Sequence, residues 1–410
     1  MNPEIVQKNN KFSVSSMTLK FYIFCVFRTA LFHVPILVIY LQTMLQDPFQ
    51  IGILLSLKTV STLIFEIPTG YVADKVSRKL SILIGVLLNI VGLLIFIFTR
   101  EFILLAIAQI VFGLSETFSS GADSALLYDN LEILDASEKF ESIQKNISLF
   151  GSLVLFTSFI MGSYIYNYKQ AFPFVLTTIS LAFSFAVFTT LKEYQYKENK
   201  RGIDDNNKQK GNSVIQSILK EPKCLWHYLI FTNLIGAIFY SAYLFILPIL
   251  LKSTGISEKY FGIIFSAGVL LFGIGAKISG IISIKHKFLT IIGPISSASI
   301  FFLGGVIKAQ VIAIILLALM RLIWGAYVVI SNVFINQQIK NSNVRASILS
   351  VGSGIEGGFS TLLILLYGFL TKYIELQQMI IIISIMFLVV GILFYITRSK
   401  RTVDTLTNRS

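Results

Sequence analysis

Apolar residues in this chain come in long runs, without the two-residue alternation of a half-buried strand or the one-sided stripe of a soluble helix. Crossing about 30 Å of hydrocarbon takes about 20 helical residues, and twelve runs are long enough. They cover Thr18 to Leu41, Gln50 to Tyr71, Leu80 to Thr99, Phe102 to Leu127, Ser142 to Tyr166, Phe172 to Leu191, Leu225 to Leu251, Tyr260 to Ile284, Phe288 to Ile307, Val311 to Phe334, Ala346 to Thr371 and Met379 to Thr397. These are the expected helices 1 to 12. An even count places both termini on one side of the bilayer. Lys192 to Lys223 is the only long polar stretch, rich in Lys, Glu, Asp, Asn and Gln, and it reads as a solvated linker. The expected organisation is therefore a six-helix half at 1–191, a linker at 192–224, a second half at 225–397 and a tail at 398–410.

A weak internal echo supports duplication. Gly280 to Lys287, after helix 8, repeats the glycine and basic residues of Gly70 to Lys79, after helix 2, with Ile284 where Asp74 would stand. The fold class is an all-α membrane protein of twelve transmembrane helices in two six-helix pseudo-repeats, both termini cytoplasmic. Repeated halves around a midplane site are a transporter architecture.

Composition agrees: of 410 residues 55% are hydrophobic and 13% charged, against about one quarter charged in a soluble domain. The net charge of +13 would suit nucleic acid only if it gathered on a folded surface. Most Lys and Arg instead fall in the segments that the helix count places inside, which is the positive-inside bias. Nucleic acid is excluded as a partner; the bilayer is the expected one. Cys25 and Cys224 are too few for a disulfide framework and are expected as free thiols. The first apolar run is too long for a signal peptide and lacks its small-residue cleavage site, so it is expected to stay as a helix.

The run GYVADKVSRK, Gly70 to Lys79, sets a glycine, an aspartate and a basic cluster between two spans. It resembles the loop between helices 2 and 3 of the major facilitator superfamily, matching at Gly70, Asp74, Lys75, Arg78 and Lys79, with Ser77 where that signature has its second glycine. EIPTG from Glu66, SGADSALLYDNL from Ser120 and RASILS from Arg345 resemble blocks of one bacterial branch of the same superfamily. The resemblance implies a gating latch: the motif aspartate, Asp74, facing the N-terminal end of helix 11, and the motif arginine, Arg78, paired with Asp129 near the end of helix 4. A carboxylate at a helix N-terminus gains roughly 0.3 to 1 kcal/mol, enough to bias a conformational equilibrium.

Ionisable groups inside a span cost roughly 2.5 to 3.5 kcal/mol each on insertion scales, so each is a candidate for function. They are Arg28 and His33 in helix 1, Lys58 and Glu66 in helix 2, Glu116 and Asp123 in helix 4, Lys277 in helix 8, Arg321 in helix 10 and Glu356 in helix 11. At 1.5 Å per residue, Arg28 reaches a depth between Asp123 and Glu116 on the oppositely directed helix 4, and either can pair with it. The resemblance implies that helices 1, 4, 7 and 10 line a central cavity, making Arg28, His33, Arg321 and Asn233 the cavity and substrate candidates. Proton-coupling candidates are Glu116, Asp123 and Glu356, with Glu116 favoured because it lies deeper than Asp123. The bland alternatives are a purely structural ion pair for Arg28, a packing role for His33 and interfacial snorkelling for Lys58 and Lys277.

GSGIEG, Gly352 to Gly357, fits a dinucleotide-binding pattern, but it lies in an apolar span with no preceding strand and reads as close helix packing. No phosphate-loop lysine, HExxH or zinc-spaced Cys/His cluster occurs. The expectation is no enzyme, no cofactor and no metal. What the resemblance implies is a monomeric secondary transporter of the bacterial cytoplasmic membrane, moving a small organic solute by alternating access with protons. Efflux is the favoured direction, because relatives with this motif and intramembrane acids are often drug/proton antiporters. Gly151 to Gly162 in helix 5 lacks the proline of the antiporter motif, however, so uptake by symport is the alternative, and a solute sensor that binds without turnover is a third reading.

Overall fold

The apolar runs form helices, and the departures from continuity fall mainly at prolines and glycines. The computed structural model describes residues 3–75, 77–119, 121–194, 217, 220–282, 285–307, 310–341 and 344–397. Most of the expected 192–224 linker, the whole 398–410 tail and the side chains of 70–75 lie outside the described residues. Among the described residues the regular structure is all helical. Eleven helical stretches are long and apolar enough to cross a bilayer, and a twelfth, Phe288–Gly304, is apolar but shorter.

The chain divides into two compact units, Met1–Arg201 with Ser257–Ser266, and Gly202–Ile256 with Ala267–Ser410. In the first unit, helix 1 runs Pro3–Thr29 and resumes, after a 3-10 turn at Val34–Ile36, as Leu37–Met44. Pro35 has no N–H to continue a helical ladder. Nearby, the Phe32 N–H donates to Thr177 Oγ1 of helix 6 at 3.1 Å, which satisfies a backbone donor freed at the break. Helix 2 is Pro48–Lys75 and helix 3 is Arg78–Phe98. Gly70 to Lys75 thus continue helix 2 rather than forming a loop, and only 76 and 77 separate the two helices.

Helix 4 is broken into Phe102–Ser119 and Ala122–Ile133. Gly121 between them has φ +72°, a left-handed conformation that costs glycine nothing. Helices 2 and 4 pack backbone to backbone, since a Cβ on Gly113 would collide with the Lys58 carbonyl and Ser61. Helix 5 (Phe140–Tyr166) and helix 6 (Phe172–Thr189) pack on helix 1.

In the second unit, helix 7 runs Lys223–Ser241, widens to a π turn at Ala242–Ile246 and ends as Leu247–Ser253. Pro248 lacks the N–H that a regular turn would use there. Helix 8 is Phe261–Ile278 and straddles the division between units; helix 9 is a π turn at Phe288–Ile292 followed by Gly293–Val306. Helices 10 (Gln310–Gln338), 11 (Arg345–Leu370) and 12 (Leu376–Thr397) complete the chain. Helix 7 packs on helix 11 and helix 9 on helix 12.

Candidate functional site

Arg28, Lys58, Glu116 and Asp123, within helices 1, 2 and 4, form two separate pairs. Arg28 Nη1 donates to Asp123 Oδ2 at 3.1 Å, with both side chains about 29% exposed. Asp123 stands in the first turn of Ala122–Ile133, where the helix dipole also favours a carboxylate. Glu116 is taken instead by Lys58, Nζ to Oε1 2.5 Å. Lys58 can reach it because Gly113 lets helices 2 and 4 approach. Arg28 also lies 5.5 Å from the Phe24 ring.

His33 belongs to the junction of helices 1 and 6. Its Nδ1 is 3.2 Å from Thr177 Oγ1, and its ring lies 5.1 Å from Phe174. The Thr177 hydroxyl already spends its proton on the Pro173 carbonyl at 2.9 Å. It can therefore only accept, and the His33 Nδ1–H donates. His33 thus closes the helix break.

Between helices 2 and 3, Ser77 is the N-cap of helix 3, its Oγ accepting from Leu80 N at 3.0 Å. Its φ of −173° and ψ of 130° are ordinary extended backbone, so a glycine is not required where the signature has one. Arg78 Nη1 pairs with Asp129 Oδ2. Glu193, just past helix 6, receives Ser77 Oγ–H at 2.5 Å, Arg78 N–H at 3.1 Å and Lys79 N–H at 3.4 Å. Asn130 ties the same strip down, donating to the Lys192 carbonyl at 3.1 Å and accepting from Tyr194 N–H at 3.0 Å. Lys79 Nζ donates to the Thr189 carbonyl at 2.7 Å. Gly70, Asp74 and Lys75 belong to the segment whose side chains lie outside the described residues.

The second unit holds a polar cavity of about 590 Å³, within the range of small-molecule sites. Asn233 and Thr232 of helix 7, Phe272 of helix 8, Trp324, Ser331, Asn332 and Asn336 of helix 10, and Ser353 and Glu356 of helix 11 line it. Close packing of helices 7 and 11 brings these walls together. A Cβ on Gly236 would stand 3.0 Å from Glu356 Cδ and Oε1, and one on Gly352 would stand 3.0 Å from Asn233 Nδ2. Asn233 Nδ2 donates to the Leu229 carbonyl at 2.7 Å, leaving its side-chain oxygen to the cavity. Glu356 lies about 17 Å along helix 11 from Arg345. Among the described residues its carboxylate has neither a hydrogen-bond nor an ion-pair partner, unlike Glu116 and Asp123.

Arg321 is one turn from Trp324 on helix 10. Its guanidinium carbon is 4.5 Å from the Tyr243 ring, 5.1 Å from Phe272 and 5.8 Å from Phe239, and Nε donates to the Gly268 carbonyl at 3.4 Å. The π turn of helix 7 carries Tyr243. Sequence reasoning singled out Asn233, Arg321 and Glu356 but not Asn332, Asn336, Trp324 or Glu193. Two asparagines four residues apart in an apolar helix were the signal for one cavity wall; Glu193 sits at the edge of a polar stretch and carried none.

Eleven helical stretches of spanning length and a shorter twelfth among the described residues, with paired charges within the first unit and a cavity within the second, define a multi-pass membrane protein. The sequence profile of the Major Facilitator Superfamily matches residues 21–361, and the chain belongs to that family. It is 25% identical over 240 residues to the uncharacterized MFS-type transporter YxaM of Bacillus subtilis (strain 168), an alignment covering 57% of this chain and 58% of that relative. Among solved structures, the nucleoside transporter NupG has a TM-score of 0.73 at 16% identity, covering 93% of this chain and all of that one. A D-xylose-proton symporter has a TM-score of 0.71 at 12% identity, covering 94% and 97%. Identities this low speak for the fold alone.

Proposed function

We propose that the protein is a secondary active transporter that takes up a small polar organic solute by alternating access, in symport with a proton carried by Glu356. The observation that supports this reading is the Glu356 carboxylate, unpartnered among the described residues, on a cavity whose wall mixes amides and hydroxyls with Phe272, Trp324 and aliphatic side chains. Glu116 and Asp123 are each neutralised by a cation, whereas Glu356 has no protein counterion among the described residues. A lone carboxylate in a span is costly, and a proton is the simplest way to remove the charge. Protonated Glu356 also becomes a hydrogen-bond donor toward the cavity, so loading the proton and binding the solute favour one another. That is the requirement for symport.

Efflux of a lipophilic solute would use the Phe272 and Trp324 walls but leave Asn233, Asn332, Asn336 and Thr232 of the same cavity unanswered. A nucleoside transporter and a sugar-proton symporter among the fold neighbours agree with a polar cargo. The twelve helices act as two repeated halves, with termini and linker in the cytoplasm of a bacterial cell, and the pairing of Arg78 on helix 3 with Asp129 on helix 4 is part of the latch that gates the cytoplasmic side. Pyranine-loaded proteoliposomes exposed to a panel of sugars, nucleosides and organic acids test the proposal. An active solute acidifies the lumen by symport, and Glu356→Gln removes that signal. Lumenal alkalinisation would instead mean antiport, and a signal that survives in Glu356→Gln would remove Glu356 from the role.

A further inference from the structure

Among the described residues no carboxylate answers the charge of Arg321. A guanidinium carries five N–H donors, and among the described residues Arg321 uses one, Nε to the Gly268 carbonyl. Tyr243, Phe272 and Phe239 surround it at 4.5 to 5.8 Å. Their faces attract a cation but accept no strong hydrogen bond. Among the described residues no carboxylate pairs with it, although Arg28 and Arg78 each have one. Arg321 is half-buried rather than sealed in the core, so its unused donors are open to approach.

The position of Arg321 tells what would reach it. Trp324, Val328, Asn332 and Ile335 mark the cavity-lining face of helix 10, and Arg321 extends that face by one turn at the i−3 spacing. Phe272, beneath the guanidinium, is itself a cavity wall, and Phe239 stacks on Trp324 at 4.4 Å between centroids. The face that carries the amides Asn332 and Asn336 thus continues past two aromatic walls to the Arg321 guanidinium, which stands one turn beyond the lining residues.

We propose that Arg321 makes this end of the cavity an anion subsite and that the transported solute is an organic anion, its charged group held by Arg321 and its apolar part flanked by Trp324 and Phe272. The proposal deepens the symport reading and rests on it for the word transported. Binding of the anion stands apart from proton coupling. A solute bearing one negative charge, moved with one proton, crosses without net charge, so a membrane potential alone would not drive it.

The chain has two tryptophans, so Trp226→Phe leaves Trp324 as a fluorescent reporter within the cavity. The purified full-length Trp226→Phe protein is titrated with iodide, caesium and neutral acrylamide at fixed pH. Taken relative to free N-acetyltryptophanamide, which iodide quenches better than caesium in any case, iodide should quench Trp324 about threefold or more better than caesium, because a fixed cation concentrates anions near it. Arg321→Gln should abolish that excess while acrylamide quenching stays the same, and Arg321→Lys should keep it. Benzoate should protect Trp324 from iodide, and neutral benzyl alcohol should not. If iodide shows no excess, or Arg321→Gln leaves it unchanged, the anion subsite is wrong. Should Arg321→Gln alter acrylamide quenching as well, Arg321→Lys decides, and loss of the excess there overturns the proposal. Equal protection by the two aromatic probes, or none by benzoate, overturns the organic-anion assignment. The iodide excess persists in Glu356→Gln whether or not that residue carries the proton, which separates failure of this proposal from failure of the symport reading.

Discussion

Arg28 could face either acid of helix 4 by depth alone, and the structure pairs it with Asp123 at 3.1 Å, which a double-mutant cycle can check. Two unit charges at that separation attract by about 1.3 kcal/mol in bulk water and about 5 kcal/mol at an effective permittivity of 20. Both side chains are about 29% exposed, so the pair is neither dry nor fully screened, and desolvation offsets part of the attraction. A coupling of about 1 to 3 kcal/mol is expected between Arg28→Ala and Asp123→Asn. Arg28→Ala alone should cost about 1.5 to 3 kcal/mol, less than the 3 to 5 of a fully buried broken pair, because the helix N-terminus still steadies Asp123. The assay is unfolding by sodium dodecyl sulfate in mixed micelles, followed by circular dichroism for the four proteins of the cycle. Arg28→Ala with Glu116→Gln should couple by less than about 0.5 kcal/mol, as expected of residues without a shared partner. Coupling below about 0.5 kcal/mol with Asp123, or stronger coupling with Glu116, would refute the pairing.

Thr177→Val should cost about 1 to 3 kcal/mol by stranding the Phe32 N–H and His33 Nδ1–H at the helix 1 break; Thr177→Ser should restore most of it, as read from thermal melting. Glu193→Ala should destabilise by about 1 to 2 kcal/mol, because three donors at the start of helix 3 lose their acceptor, with Glu193→Gln intermediate in the same melts. Gly236→Ala places a methyl 3.0 Å from the Glu356 carboxyl. The flexible end of Glu356 can swing aside, so the variant should stay folded, at a cost of about 1 kcal/mol, yet lose proton-driven accumulation in proteoliposomes. Normal accumulation there would show that the placement of this carboxyl is unimportant.

The spans were legible because about 20 consecutive apolar residues leave a chain little choice but to cross the bilayer. The breaks were harder to read. Pro35, Gly121 and Pro248 each stand inside an apolar run whose length signal overrides a single residue, yet they divide helices 1 and 4 and widen helix 7. Those breaks govern the site. The one at Gly121 puts Asp123 in a new first turn, and the π turn at Ala242–Ile246 carries Tyr243, whose ring covers Arg321. Depth arithmetic along straight helices therefore left Asp123 and Glu116 both open as partners of Arg28. Lys58, at an expected interface, gave no sign that it would take Glu116. Helix 11 was not among the helices expected to line the cavity, but Gly236 and Gly352 draw helices 7 and 11 together and bring Glu356 onto the cavity wall. Glu193 was unreadable because a carboxylate in a polar stretch looks like any solvated charge until its three donors are located.

The central claim is that Glu356 carries the coupling proton, and steady-state accumulation against an imposed pH gradient tests it most directly. With the membrane potential clamped to zero by valinomycin and potassium, one proton per solute should concentrate the cargo about tenfold per pH unit, since each factor of ten corresponds to about 1.4 kcal/mol. The unaltered protein should follow that slope, whereas Glu356→Gln should equilibrate the solute at a ratio of one and still exchange labelled for unlabelled cargo. A Glu356→Gln protein that concentrates the solute along the same slope would contradict the account.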